Sequence, residues 1–286
     1  MEFCSLWTST ITLKQFQDTN IILFFNRSFS RDDYFFNRIY FDNENDIVKS
    51  LEFLKRFLLL EGISAYLYIK NDTIISSLTK QLKKRGFICV DSIYTLESPR
   101  PPTPPIQVIT TTTTTINLEK KISVTKIKDD PILLNTWTRI FCQSFNIEDQ
   151  EPFIEIVNKN KQRFVFLLAM LKNKDKKRKK DKENKESDEN NNSNNSYNAD
   201  NGDNIPAGVC LLFEKYGCIG LYCLGTLPKF RNRGIAQTIL KASLQIAHTM
   251  KYDKIFLQTF ENDNYIDFYK KLKFKIIDKR KIFQIN

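Results

Sequence analysis

Between Leu221 and Leu240 the chain reads L-Y-C-L-G-T-L-P-K-F-R-N-R-G-I-A-Q-T-I-L, and this stretch concentrates the residue types that can hold an anion. The apolar run up to Thr226 predicts a strand, Pro228 forbids its continuation, and the pattern from Gly234 onward predicts an amphipathic helix. Gly234 and Ala236 are small enough for a ligand to come close to the backbone of the first helical turn. The exposed N–H groups and positive helix end there form an anion site, with Arg231 and Arg233 adding charge. Taken alone, the segment reads as a phosphate or pyrophosphate cradle, or as an ordinary strand-to-helix joint with solvated arginines.

Other chemistry is scarce. The 286 residues include one histidine, His248, and eight glycines, and contain no H-E-x-x-H, G-x-G-x-x-G or G-x-x-x-x-G-K-[ST]. No metal is expected, and a Ser-His or Cys-His mechanism would hang on His248. That residue falls near the far end of the helix opening at Gly234, on a polar face with Gln237, Lys241 and Gln245. Cys4, Cys89, Cys142, Cys210, Cys218 and Cys223 form no C-x-x-C pair and read as buried reduced thiols, a catalytic cysteine being the sharper alternative.

The elements that must position the turn come next. From Lys120 the pattern predicts a strand (122–127), helices (132–145 and 151–160) and three strands (163–171, 206–214, 218–226). A helix (234–250), a strand (254–260), a short helix (263–272) and one or two final strands follow. This is a mixed, mostly antiparallel α/β sheet with helices on both faces, preceded by a smaller α/β unit over 1–98. That unit is read as a strand at 21–26, a helix at 46–60, a strand at 65–69, a helix at 75–84 and a strand at 87–96. Five prolines between Pro99 and Pro105 and six threonines from Thr110 to Thr115 mark 99–117 as a stiff linker, leaving 118–286 as the main domain. Residues 172–205 read as a disordered insertion on a hairpin loop within it.

Net charge is +11, but nine positive and eight negative charges nearly cancel over residues 172–204. The excess is spread over the folded parts, which fits an anionic ligand as well as nucleic acid. The K-K-R-K-K run at 176–180 is a nuclear-localisation or phosphate-binding cluster, or a solvated loop. No apolar run reaches a membrane span or signal core, so the chain is expected to be soluble and intracellular, without membrane or nucleic-acid partners; the oligomeric state is left open. A repeat stands out: Lys83-Lys84-x-x-Phe87-x-x-x-Asp91 matches Lys270-Lys271-x-x-Phe274-x-x-x-Asp278, each at a helix running into a strand, as a divergent duplicated unit would.

Over about 120–286 the sequence resembles the GNAT superfamily of acyl-CoA-dependent N-acetyltransferases. R-N-R-G-I-A at 231–236 satisfies that family's [QR]-x-x-G-x-[GA] turn, and T-L-P-K-F-R before it is similar to the V-x-P-x-x-R lead-in. Asn262 followed by Phe268-Tyr269-Lys-Lys-Leu272-Lys-Phe274 is similar to a second family pattern; Lys273 and Tyr265 stand where the family often has Gly and Ala. The resemblance implies acetyl-CoA as cosubstrate and a primary amine as acceptor, joined by direct transfer in a ternary complex. It assigns pantetheine to Leu224, Thr226 and Leu227, pyrophosphate to Arg231, Asn232, Arg233, Gly234, Ile235 and Ala236, and an accessory role to Asn262, as helix cap or pantetheine partner. Leu224 N–H would polarise the thioester and Tyr269 would act as the acid. Glu214, Tyr222 and Glu261 are the candidate bases. A non-catalytic CoA- or partner-binding module is the alternative.

Overall fold

The computed structural model describes residues 11–16, 19–25, 33–41, 47–62, 64–70, 75–99, 115–119, 121–172, 204–252 and 254–285. The Pro/Thr-rich segment 100–114, the insertion 173–203 with its basic run, and Cys4 lie outside them.

Among the described residues, twelve strands join in one sheet. The first half supplies β1 (Ile11–Phe16), β2 (Thr19–Phe24), β3 (Arg38–Phe41), α1 (Ile47–Glu61), β4 (Tyr66–Lys70), α2 (Ile75–Lys84) and β5 (Ile88–Glu97). The second supplies β6 (Thr115–Glu119), β7 (Ile122–Ile127), α3 (Pro131–Ser144), α4 (Glu151–Asn160), β8 (Phe164–Lys172), β9 (Asn204–Lys215), β10 (Cys218–Thr226), α5 (Ile235–Thr249), β11 (Ile255–Phe260), α6 (Ile266–Lys271) and β12 (Lys275–Gln284). Their order across the sheet is β1-β2-β3-β4-β12-β5-β11-β10-β9-β8-β7-β6. Among the described residues, only β3·β4 and β10·β11 pair in parallel.

Local chemistry explains the helices. Asp130 accepts from the N–H groups of Ile132 and Leu133 and Pro131 opens the first turn, so α3 starts where two independent signals coincide. Its apolar stripe, with Leu134, Trp137 and Phe141, packs with α4 on one face of β8–β10, while Ile235, Ile239, Ala242 and Ile246 of α5 pack on the other. Trp137 is fully buried, and its indole N–H reaches the carbonyls of Leu167 and Cys210 at 3.1 and 3.0 Å, locking α3 onto two strands. Lys172 pairs with Asn204, so the two ends of the insertion face each other across a β8–β9 hairpin.

Three strands are not foreseen. β6 takes up the end of the expected linker, β1 alternates only over the short Ile11-Thr-Leu13-Lys run, and β3 lacks a readable alternation. In β3 the reason is Arg38, which is 1 % exposed in a strand; its guanidinium bonds the Phe35 carbonyl and the Tyr40 hydroxyl and lies on the rings of Phe35 and Tyr68.

The two copies of the repeat, β4-α2-β5 and β11-α6-β12, exchange their last strands. β5 pairs with β11 and β12 pairs with β4, and the exchanged strands pair antiparallel with each other. Their register is symmetric: Glu97 faces Lys275 at one end and Ile88 faces Gln284 at the other. The residues the ladder skips are Val90 and Ile277, in each case the one before the repeat's aspartate, Asp91 or Asp278.

Candidate active site

β10 and β11 pair only from Ile219↔Ile255 to Leu221↔Leu257. Beyond that the two strands part, while β11 stays paired to β5 as far as Phe260↔Ile93. On its other side β10 is bulged against β9: the register jumps from Tyr222↔Leu211 to Gly225↔Val209, and Cys223 has φ 55°. The bulge sets Cys223 and Leu224 opposite Cys210 alone, releasing backbone groups from the ladder where the gap opens. A slot between parallel strands, beside a bulge, is thereby built into the sheet.

The slot leads to the basic turn. Leu227 is buried, residues 228–230 form one 3-10 turn, and Asn232 and Gly234 adopt φ 60° and 78°. Gly234 is the residue before α5 and no side chain caps the helix, so the first-turn N–H groups are open to a ligand. Ile235 is buried against Gly208, where an added Cβ would come within 2.7 Å of it, so only its backbone is available to the turn. Ala236 is half-buried behind it. Arg231 Nε donates to the Thr226 carbonyl at 3.3 Å and its Nη2 to the Ser144 carbonyl at 3.1 Å. It ties the end of α3 to the turn. Lys229 and Arg233 lie over the Phe230 ring, 5.1 and 5.6 Å from its centre. Between the end of α3 and Leu227-Pro228-Lys229 lies a cavity of about 560 Å³, within the range of ligand pockets.

Tyr269 is 8 % exposed and packs edge-on to Phe268 and Phe274, in the same core as Leu221, Leu257 and Leu224, at the point where the strands part. Burial raises its pKa, keeping the phenol protonated throughout the neutral range. Asn262 corrects the capping expectation. α6 begins after Tyr265, without a side-chain cap, and the Asn262 side-chain amide donates instead to the Val90 carbonyl at 3.3 Å.

The candidate bases separate. Glu261 accepts from Tyr94 at 2.5 Å and from Lys279 at 3.0 Å, and these bonds lower its pKa to about 2, which makes it a feeble base. Glu214 faces Ile219, at the end of β10 remote from the slot, and bonds Tyr252 there. Tyr222 lies back over Gly220 on the α3 face; a Cβ at Gly220 would fall 2.5 Å from its ring. His248 sits in the last turn of α5, roughly 20 Å along the helix from Gly234 at the standard rise.

All described cysteines are free; Cys89 and Cys218 are exposed, against expectation, because they lie at the starts of β5 and β10. Burial raises the pKa of Cys142 to about 11 and of Cys210 to about 12, and raises that of Cys223 well above its usual value, which removes thiolate nucleophiles from the neighbourhood of the slot. Among the described residues no cluster of His, Cys, Asp or Glu could hold a metal, and no helix is long and apolar enough to cross a membrane.

A parting pair of parallel strands, a bulge and an uncapped basic helix start define the acyl-CoA N-acyltransferase fold. Residues 137–274 match the acetyltransferase (GNAT) family, and the chain carries a GNAT acetyltransferase domain there. Among solved structures it is similar to a GCN5-related N-acetyltransferase from Sphaerobacter thermophilus, at 11 % identity and TM-score 0.64, covering 93 % of this chain and 76 % of that one. A GCN5-related N-acetyltransferase from Kribbella flavida is 12 % identical with TM-score 0.58, covering 99 % and 94 %. A tandem GNAT protein from the clavulanic acid biosynthesis pathway is 8 % identical with TM-score 0.53, covering 87 % and 74 %. Such likeness concerns the fold alone. No curated protein sequence matches the chain.

Proposed function

We propose that the protein transfers the acetyl group of acetyl-CoA to a primary amine, directly and without a covalent enzyme intermediate. The observation that carries this is the parting of β10 and β11 immediately before the uncapped, basic start of α5. Bound acetyl-CoA would supply the activated acetyl group; the pyrophosphate would rest on the N–H groups from Asn232 to Ala236, with Arg233 and Lys229 countering its charge. Leu224 and Thr226 would pair with the pantetheine amides as a further strand does.

The reacting centre lies at the bulge. The N–H near Leu224 donates to the carbonyl oxygen as it becomes an oxyanion. The neutral amine nitrogen forms the new C–N bond, the C–S bond breaks, and Tyr269 donates its proton to the leaving sulfur. The proton lost by the amine passes to water and returns to Tyr269 by the same route. Direct transfer is favoured over an acyl-cysteine because the buried thiols are held protonated. The non-catalytic alternative is disfavoured by the intact turn, in which Arg231, Gly234 and Ala236 keep the motif's spacing and the helix start is left uncapped.

The test is release of thiol from acetyl-CoA with a panel of primary amines. Amine-dependent release that disappears in Gly234→Val supports the reading; acetyl-CoA binding with no release for any amine sustains the binding-module alternative.

A further inference from the structure

The turn at residues 33–37 belongs to the first half of the chain but sits at the open end of the slot. Its shape is set locally: Asp33 Oδ1 accepts from Phe35 N–H at 2.8 Å, and Asn37 N–H returns to the Asp33 carbonyl at 3.1 Å. Two further bonds pin it from below, Tyr68 to the Tyr34 carbonyl at 2.6 Å and Arg38 to the Phe35 carbonyl at 2.7 Å. It is a rigid platform.

What the platform touches lies on both sides of the slot. The Tyr34 ring stands edge-on to Phe260, the last residue of β11, at 4.8 Å, and Phe35 meets the same ring at 6.4 Å. One residue further, Phe36 stands 6.0 Å from Phe153 of α4 and enters the core beneath α3. The turn therefore bridges from β11 to α4 across the gap, on the sheet face opposite α5 and Tyr269. Phe36 is consumed as core, whereas Tyr34 and Phe35 are only partly buried. The exchanged strand fastens the platform, since Tyr34 donates to Asp91 of β5 at 2.9 Å.

The other half of the repeat explains why this unit contributes a wall rather than a second cofactor site. The residues before α1, Asp42-Asn43-Glu44-Asn45-Asp46, carry three carboxylates and no glycine, where the turn before α5 has Lys229, Arg231, Arg233 and Gly234. A sequence of that charge repels pyrophosphate.

We infer that the first half of the chain forms the acceptor wall of the second half's slot, with Tyr34 and Phe35 as specificity-determining residues for a primary amine carried on an aromatic or apolar body. The inference rests on the transferase reading above. Ring faces and edges give an apolar body contact and a cationic headgroup a π surface on approach. They offer little to the many hydroxyls of an amino sugar, whose polar groups would lose water without replacement.

The experiment compares 2-phenylethylamine with kanamycin as acceptors for the full chain, following thiol release, with calorimetry of acetyl-CoA in parallel. The expected results are kcat/KM at least about tenfold higher for 2-phenylethylamine, and in Phe35→Ala a KM for that amine raised about tenfold with kcat and acetyl-CoA Kd within about twofold. Phe35→Leu, which keeps volume but loses the ring, raises KM about threefold, and covers the case in which the alanine variant does not fold. The proposal is overturned by equal use of the two amines, by no transfer to 2-phenylethylamine, or by an unchanged KM in both Phe35 variants. Two acetyl-CoA molecules bound per chain also overturn it. If wild type binds no acetyl-CoA, it is the transferase reading that fails.

Discussion

The backbone N–H of Asn262 donates to Oδ1 of Asp91 at 3.2 Å, although the two residues stand 171 positions apart. Asp91 belongs to the strand the first repeat lends to the second, and the Val90 carbonyl beside it takes the Asn262 side-chain amide. Asn262, two residues beyond β11, is thus oriented by the other half of the chain. Cutting the chain between its halves should therefore abolish acetyl transfer even where residues 118–286 stay soluble, and recombining the two fragments should restore it.

Tyr269→Phe keeps the contacts with Phe268 and Phe274 and removes only the proton donor. The expected kcat falls by about a hundredfold, while acetyl-CoA Kd and melting temperature stay close to wild type. Equal losses in Kd and stability would mark Tyr269 as core alone. Because burial raises its pKa, the group should stay protonated across the neutral range, so the alkaline limb of the wild-type pH profile should not arise from it.

Glu261 is lowered from 4.5 to about 2, first by the bond from Tyr94 and then by that from Lys279. A depressed carboxylate contributes stability that is present above its unfolded pKa and lost as pH falls through the folded one. Glu261→Gln should therefore melt below wild type near neutral pH, with the difference closing from pH 4.5 toward about 2. The pair is half-exposed, so the effect is small. Turnover should change less than threefold or so if Glu261 is no base; a hundredfold loss would reinstate it.

Gly225 and Arg231 both address the end of α3. An added Cβ at Gly225 would lie 2.8 Å from the Ser144 Cβ, and Arg231 holds the Ser144 carbonyl. Gly225→Ala should cost about 1–3 kcal/mol of stability, and Arg231→Lys, which cannot span both carbonyls, about 1 kcal/mol. Both should weaken acetyl-CoA binding several-fold, measured by denaturant melts and calorimetry.

Lys172 faces Asn204, so Asn-Gly in place of residues 173–203 closes the hairpin with an ordinary two-residue turn. Transfer activity should be retained within about twofold, and any salt-dependent binding to nucleic acid should vanish.

Much of the second half is legible because its signals are local. The Asp130-Pro131 start of α3, the stripe of α5 and the Pro228 stop of β10 all act within a few residues of themselves. The motif at 231–236 likewise lies in one turn. What escapes is long-range. Which neighbour β12 takes depends on an exchange with β5, and nothing in the sequence of 275–284 names that partner. Glu261 looks like a base until Tyr94, 167 residues away, lowers it. Arg38 hides β3 because its guanidinium is held by groups the strand pattern does not include. The turn at 33–37 has no motif at all; its meaning comes from Phe260 and Phe153, which the fold alone brings near.

The central claim is that the slot and turn ending at Gly234 hold acetyl-CoA. Gly234 has φ 78°, a conformation a branched residue adopts only at a cost of about 1–2 kcal/mol, and its lack of a side chain keeps the first turn of α5 approachable. Calorimetric titration of acetyl-CoA into wild type and Gly234→Val reads this directly. One molecule bound per wild-type chain, with binding weakened at least about tenfold in a Gly234→Val protein that still melts cooperatively, is the predicted result. No heat of binding to wild type at millimolar acetyl-CoA, or equal affinity in the two proteins, would contradict it.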